Sequence, residues 1–351
     1  MRKRSPALLC GVLLPLILVI PVTLALALAL AAHQPAAPVK PTEPIQPIEA
    51  ITSAFRTHAV VALGEDHGNE QEHLFLRALV RDPRFTATVN DIVVEFGNAR
   101  YQDLIDRFMS GEQVADDALR RVWRDTTGIT GVWDRPIYEE FYRAVRALNA
   151  TLPRERQLRV VLGDLPLDWD AAERTPITPG QRRLYGQPVP DNAPDGFMDR
   201  DRHAADVIRR EVIAKQRRAL VLYGDMHLTR RPTSIVGRLE SDAGVRVFSI
   251  KTATRRAHTT LITLHPAASS WPAPSVAVVT GTILAQQDFS DFDAALYVGP
   301  AAVMTYSRMP QSLCDDASYV AKRRQRMTLA GLPAAEADRL MARDCPVTAP
   351  K

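Results

Sequence analysis

Along the chain, short apolar runs alternate with stretches of helical periodicity. "AVVALGE" (59–65) reads as a buried strand and "EQEHLFLRALV" (70–80) as a helix. "DIVVEF" (91–96) and "YQDLIDRFMS" (101–110) repeat the pair, and "IYEEFYRAVRALNA" (137–150) with "LRVVLGDL" (158–165) adds a helix and a third strand. A Pro- and Gly-rich excursion over 173–196 interrupts the rhythm, as a lid, a binding loop or a disordered segment would. The rhythm returns with "DRDRHAADVIRREVIAK" (199–215) as a helix, in which Ala204 or Ala205, Ile208 and Val212 recur at helical spacing. "RALVLYGDMH" (218–227) follows as a fourth strand, "SIVGRLES" (234–241) as a short helix and "VRVFSI" (245–250) as a fifth strand. "PSVAVVTGTI" (274–283) and "FDAALYVGP" (292–300) are further strand candidates. With no internal repeat, this alternation predicts one α/β domain with a mostly parallel central sheet and helices on both faces.

The first 50 residues follow another pattern. Arg2, Lys3 and Arg4 precede an apolar run from about Ala7 to Ala32, long enough to span a bilayer. Ala27-Leu28-Ala29 and Ala29-Leu30-Ala31 offer small residues at cleavage spacing, so residues 1–32 read either as a cleaved signal peptide or as a retained membrane anchor. Both readings put the remainder outside the cytoplasm, in the periplasm or an equivalent compartment. Cys10 opens the apolar run where a lipobox cysteine would close it, which argues against a lipoprotein anchor. Residues 33–50, "HQPAAPVKPTEPIQPIEA", read as a proline-rich linker. The α/β domain is expected over 51–300, with a C-terminal extension over 301–351.

Composition narrows the class further. The chain has 351 residues and is 46% apolar, enough for a sizeable core. Its net charge is +4, and no helix-turn-helix, zinc-finger or RNP pattern accompanies the basic residues, which argues against nucleic acid as a partner. Cys314 and Cys345 are the cysteines outside the N-terminal segment; in an oxidising compartment they either close a C-terminal loop or stay as two unpaired thiols.

Polar groups end four of the strands: Glu65-Asp66-His67, Glu95, Gly163-Asp164 and Asp225-Met226-His227. Ligands of open parallel sheets bind beyond the C-terminal strand ends, so four parallel neighbours would bring these groups to one edge. Carboxylates beside imidazoles suit a general base or a metal site. Asn69 reads as an N-cap with Glu72 closing a capping box, and Glu70 complements the helix dipole. Those two acids therefore have structural explanations, while Asp66 and His73 fit either role. Glu65 and His67 stand at the strand exit, before any helix needs capping, and are chemical candidates. Glu95 is a candidate whose competing explanation is a salt bridge to Arg100 or Arg202. His227 is a candidate that Asp225 could orient, and His203 reads as structural.

"LGEDHGNEQEH", "VVEF", "RDRHAADVI" and "LVLYGDMH" resemble, in order and approximate spacing, the ChaN-like, Tiki and erythromycin-esterase-like superfamily. The Gly-Glu-x-His signature is most like that of the ChaN-like haem-binding uptake branch. The branches differ in chemistry. Erythromycin esterases open a macrolactone with a water activated through glutamate and histidine, Tiki-like members are metal-dependent peptidases, and ChaN-like proteins bind haem through tyrosine. Carried over by motif, the resemblance singles out Glu65, His67, Glu95 and His227. Tyr101, Tyr138, Tyr185 and Tyr223 match no motif of the haem branch.

Two functions are therefore expected. One is a hydrolase of a small-molecule or peptide ester or amide. In it His67 deprotonates water, Glu65 or Glu95 orients the imidazole, His227 polarises the carbonyl or assists the leaving group, and Arg200 or Arg202 neutralises the oxyanion. A divalent metal such as zinc or manganese on His67, Glu95 and His227 is a variant of this reading. The other is a non-catalytic haem- or ligand-binding protein of an uptake route, and a fold retained only for interaction is a third possibility.

Overall fold

The computed structural model describes residues 42–174 and 199–346 except 243, with the backbone alone for 183–184 and 187–188. The apolar N-terminal segment 1–32, the first part of the linker and most of the 173–196 excursion, Tyr185 included, lie outside the described residues. Among the described residues no helix is long and apolar enough to cross a membrane.

Among the described residues the strands are β1 Val60–Gly64, β2 Asp91–Asn98, β3 Arg159–Asp164, β4 Arg183–Leu184, β5 Gln187–Pro188, β6 Ala219–Tyr223, β7 Val247–Thr252, β8 Ser275–Val278 and β9 Ala294–Tyr297. β4 and β5 form a small antiparallel pair, and the other seven make one sheet in the order β3-β2-β6-β1-β7-β9-β8. Every neighbouring pair in that sheet is parallel except β8 with β9. This is the expected α/β fold.

Side-chain alternation explains why the sheet is covered on both sides. Val61, Leu63, Ile92, Val94, Leu220 and Leu222 pack into one core with Leu76 and Phe141, from the helices Glu70–Arg81 and Pro136–Asn149. Their neighbours Val60, Ala62, Val93 and Val221 pack into a second core with Ala204, Ile208 and Val236, from the helices Arg200–Ile208 and Ile235–Glu240. A strand apolar at every position fits only between two such layers. The helix begun at Arg200 continues past Ile208 as a π turn, Arg209–Ile213.

Both ends of the expected domain differ from the sequence reading. The packed body includes residues assigned to the linker: Ile45 bridges Val276 on the β8 edge, and Pro47–Ala54 is a helix buried through Ile51 and Ala54. Proline at the first turn of a helix is favourable, so the proline-rich composition hid a helix start. At the other end, the helices Ala317–Leu329 and Ala334–Asp344 follow a strap at 304–309 that crosses the sheet's C-terminal edge. Ser307 N donates to the Gly68 carbonyl (2.8 Å), Glu70 N to the Thr305 carbonyl (3.0 Å), and Arg326 pairs with Asp125 (2.7 Å) and Glu173 (2.7 Å). Cys314 and Cys345 are joined in a disulfide. The helix Asp116–Arg124, absent from the sequence reading, is strongly amphipathic and buries Leu119, Val122 and Trp123.

Candidate functional site

β3, β2, β6 and β1 are consecutive in the sheet, so the polar groups beyond their ends do meet at one edge. They reach it from opposite faces. Glu65 continues the side of Val61 and Leu63 and meets the helices Glu70–Arg81 and Pro136–Asn149. Glu95 continues the side of Val93 and meets Arg200.

Glu65 is buried and gathers donors. Its Oε2 accepts from His67 Nδ1 (2.5 Å), and its Oε1 from His73 Nε2 (2.9 Å) and the Tyr138 hydroxyl (3.0 Å). Burial alone would raise the carboxyl pKa; the charges and hydrogen bonds of His67 and then His73 overcome it and hold Glu65 well below the usual carboxylate range. His67 responds in the opposite sense. Burial would lower it, but Glu65, with further help from Glu95 and Asp66, pushes it up to about 9. At neutral pH His67 is therefore an imidazolium. Its ring lies edge-on to Trp133 (4.6 Å between centroids), and Arg135 Nη1 donates to its backbone carbonyl (3.0 Å).

Glycine at two positions lets this segment close. Gly68 has φ +90°, and a side chain there would run into the Arg135 guanidinium. Gly224 has no strain, but a Cβ would stand 3.3 Å from His67 Nε2 and 3.5 Å from Glu95 Oε2. The outer edge of His67 and the carboxylate of Glu95 thus share the bare backbone at the end of β6.

Glu95 is as enclosed as Glu65. Arg200 Nη2 donates to its Oε1 (2.8 Å) and Gly224 N to its Oε2 (2.7 Å). Burial raises its pKa, and the positive charges of Arg200, His67 and His227 bring the balance below the ordinary value. His227 Nε2 lies 3.5 Å from Glu95 Oε1, and its Nδ1 bonds to Asp201 Oδ1 (2.5 Å). Burial lowers the His227 pKa, the Asp201 hydrogen bond and the Glu95 charge raise it, and Arg200 opposes the rise; the net shift is upward. Two imidazoles, each held at Nδ1 by a carboxylate, therefore flank one ionised glutamate.

The structure corrects several expected partnerships. His227 is oriented by Asp201 and not by Asp225, whose carboxylate pairs with Lys251. Glu95 pairs with Arg200, while Arg100 pairs with Asp168 (2.8 Å), and Arg202 N caps onto Asp199. Arg200 also binds Asp164 (3.1 Å), so both of its neighbours are carboxylates and it is a fixture of the site before it could serve an oxyanion. Asn69 does cap its helix, accepting from Glu72 N (2.9 Å), but the Glu72 carboxyl does not return to Asn69. It accepts from Asp66 N (2.9 Å) and the Thr252 hydroxyl (2.9 Å). Asp66 accepts from the Tyr306 hydroxyl (2.6 Å), and His73 is buried on Glu65.

His67, Glu95 and His227 do come together, yet they do not fit a metal. Carboxylates on both Nδ1 atoms are what metal-bound histidines commonly have. Glu95, however, has one oxygen on Arg200 and the other on Gly224 N–H, and among the described residues no three His, Cys, Asp or Glu side chains are arranged to hold an ion. Of the candidate haem tyrosines, Tyr101 donates to Asp125 (2.8 Å) and Tyr138 donates to Glu65, while the Tyr223 hydroxyl is buried without a hydrogen-bond partner among the described residues.

Sequence reasoning missed Asp201 altogether and, for Tyr138, its role as a donor to Glu65. Asp201 lies one place after Arg200 in "RDRH", the motif already singled out. Tyr138 stands in an ordinary amphipathic helix and carries no local signal.

No family model matches the chain, and no curated protein does. Three solved structures are similar to it in fold. The type III effector HopBA1 is 12% identical, with 75% of this chain and 99% of the effector covered at a TM-score of 0.40. ChaN of Campylobacter jejuni, in a structure of cofacial haem binding, is 13% identical, with 71% and 90% covered at 0.39. A Bacillus cereus protein is 13% identical, with 66% and 74% covered at 0.41. The α/β fold of the chain rests on its own sheet, and the roles of Glu65, His67, Glu95, Arg200, Asp201 and His227 rest on their own geometry.

Proposed function

We propose that the protein is a hydrolase of esters or amides, working outside the cytoplasm through a pair of carboxylate-held histidines. The observation that carries this reading is the arrangement of His67 on Glu65 and His227 on Asp201, with both outer ring edges turned to Glu95. Both imidazoles are held above the ordinary histidine value, His67 by the larger shift, and the one that keeps its proton more firmly serves as the acid. His67 is raised by three carboxylates and is the proton donor, which reverses the base role expected for it from sequence. His227 is raised as well, by Asp201 and Glu95, but Arg200 opposes that rise, and it acts as the base once it has lost its proton.

In the reaction, His227 Nε2 takes a proton from water as the oxygen adds to the carbonyl carbon. His67 Nε2–H stabilises the carbonyl oxygen and then protonates the departing alcohol or amine as its bond to carbon breaks. Arg200 keeps Glu95 ionised between the rings. Export is supported by the cationic start and apolar run of residues 1–32 and by the Cys314–Cys345 disulfide, which persists in oxidising compartments.

A panel of 4-nitrophenyl esters and peptide amides tests the reading. Hydrolysis by the wild type should fall by about 10²-fold or more in His67→Ala and in His227→Ala. Equal turnover in all three proteins would remove both residues from the mechanism. Absence of turnover together with a saturable Soret shift on hemin titration would replace this reading with haem binding.

A further inference from the structure

A cleft of about 570 Å³ opens between the turn at Gly131–Arg135 and the strap Met304–Met309, away from Glu95 and His227. Its walls are nevertheless tied to the segment that carries His67. Arg135 lines the cleft and donates to the His67 carbonyl (3.0 Å). Tyr306 lines it and donates to Asp66 Oδ2 (2.6 Å).

Its charges are unbalanced. Arg343 has Asp344 beside it (2.9 Å), but neither Arg135 nor Arg308 meets a carboxylate among the described residues. Arg135 is half-buried, where an uncompensated guanidinium is costly and an incoming anion correspondingly favoured. Met304 and Met309 add apolar surface to the same cleft.

We propose that this cleft receives the carboxylate end of an ester substrate whose reacting bond lies at His67. Arg135 and Arg308 are its charge partners, and the two methionines lie along its aliphatic part. The proposal rests on the hydrolytic reading and names the substrate class for it: esters carrying a remote carboxylate.

The test compares 4-nitrophenyl hemiesters of succinic, adipic and suberic acids with chain-matched neutral alkanoate esters. The readout is the ratio of kcat/KM for each pair in one protein, which cancels general damage. The wild type should prefer the hemiester at one or more chain lengths. Arg308→Met and Arg135→Met should each reduce that preference by about tenfold through KM, as expected for a charge-assisted hydrogen bond, with Arg308→Lys retaining most of it. No preference at any length, or one unchanged in both methionine variants, overturns the proposal. If no ester is turned over, the hydrolytic reading fails by itself, and calorimetric titration with suberate judges the cleft. Saturable binding weakened in Arg308→Met supports the site, and its absence overturns it.

Discussion

Glu65 and Glu72 are buried carboxyls near the start of one helix, and their surroundings push their pKa values in opposite directions. Glu65 has two imidazoles; Glu72 has a backbone N–H, a hydroxyl and the nearby charge of Glu65. Burial first, and Glu65 second, raise the Glu72 pKa well above 4.5. A folded pKa above the unfolded one means that the unfolded chain releases its proton first, so this group's contribution falls as pH rises past about 4.5. Glu72→Gln puts a side chain of similar shape that does not titrate in its place and removes that loss. Its unfolding free energy in denaturant should match or exceed that of the wild type at pH 7.5, with the gap widening upward from pH 4.5; a gap that does not change with pH contradicts the account. His67 adds a term lost at higher pH, present in full below about 6.5 and lost through about 9. Glu65 and His67 were legible in the sequence because they stand where no helix needs capping. Their protonation states were not, because they depend on His73, Tyr138 and Glu95, which are distant in sequence or hidden within ordinary helices.

At the scale of elements, the strands were legible because parallel strands covered on both faces are apolar throughout, as in "VVALG" and "ALVLY". Helices with a clear cap or a wide apolar stripe were legible too. The helix Asp116–Arg124 was missed because its apolar residues, Leu119, Val122 and Trp123, are few among many charges. Pro47–Ala54 is not legible because its prolines give it the composition of an extended linker. The face from which each strand end approaches the site also lay beyond local pattern. Alternation places Glu65 and Glu95 within their own strands, but only the registers of β1 and β2 on β6 put the two glutamates on opposite sides of one edge. That crossing lets His67 lie between them.

For the molecule as a whole, residues 304–344 behave as a clamp on the site. The strap fixes Asn69, Glu70 and Asp66, and the helices behind it fix Asp134 and Asp125 through Tyr319, Arg323 and Arg326. The disulfide closes a loop with a sequence separation of 31. Replacing Cys314 and Cys345 together by serine should cost roughly 3–4 kcal/mol in chemical denaturation, the loss of loop-closure entropy in the unfolded chain. A change below about 1 kcal/mol would mean that the clamp holds without it. The sequence located the two cysteines but not the clamp, whose contacts join residues more than 180 positions apart.

The central claim is that Glu65 holds His67 as the proton donor of a hydrolytic site. The pH dependence of kcat/KM for a cleaved ester, compared between the wild type and Glu65→Gln, tests it most directly. The wild type should lose activity as pH rises through about 9, where His67 gives up its proton. In Glu65→Gln that descending limb should move down toward the ordinary histidine range. A limb at the same pH in both proteins would contradict the account.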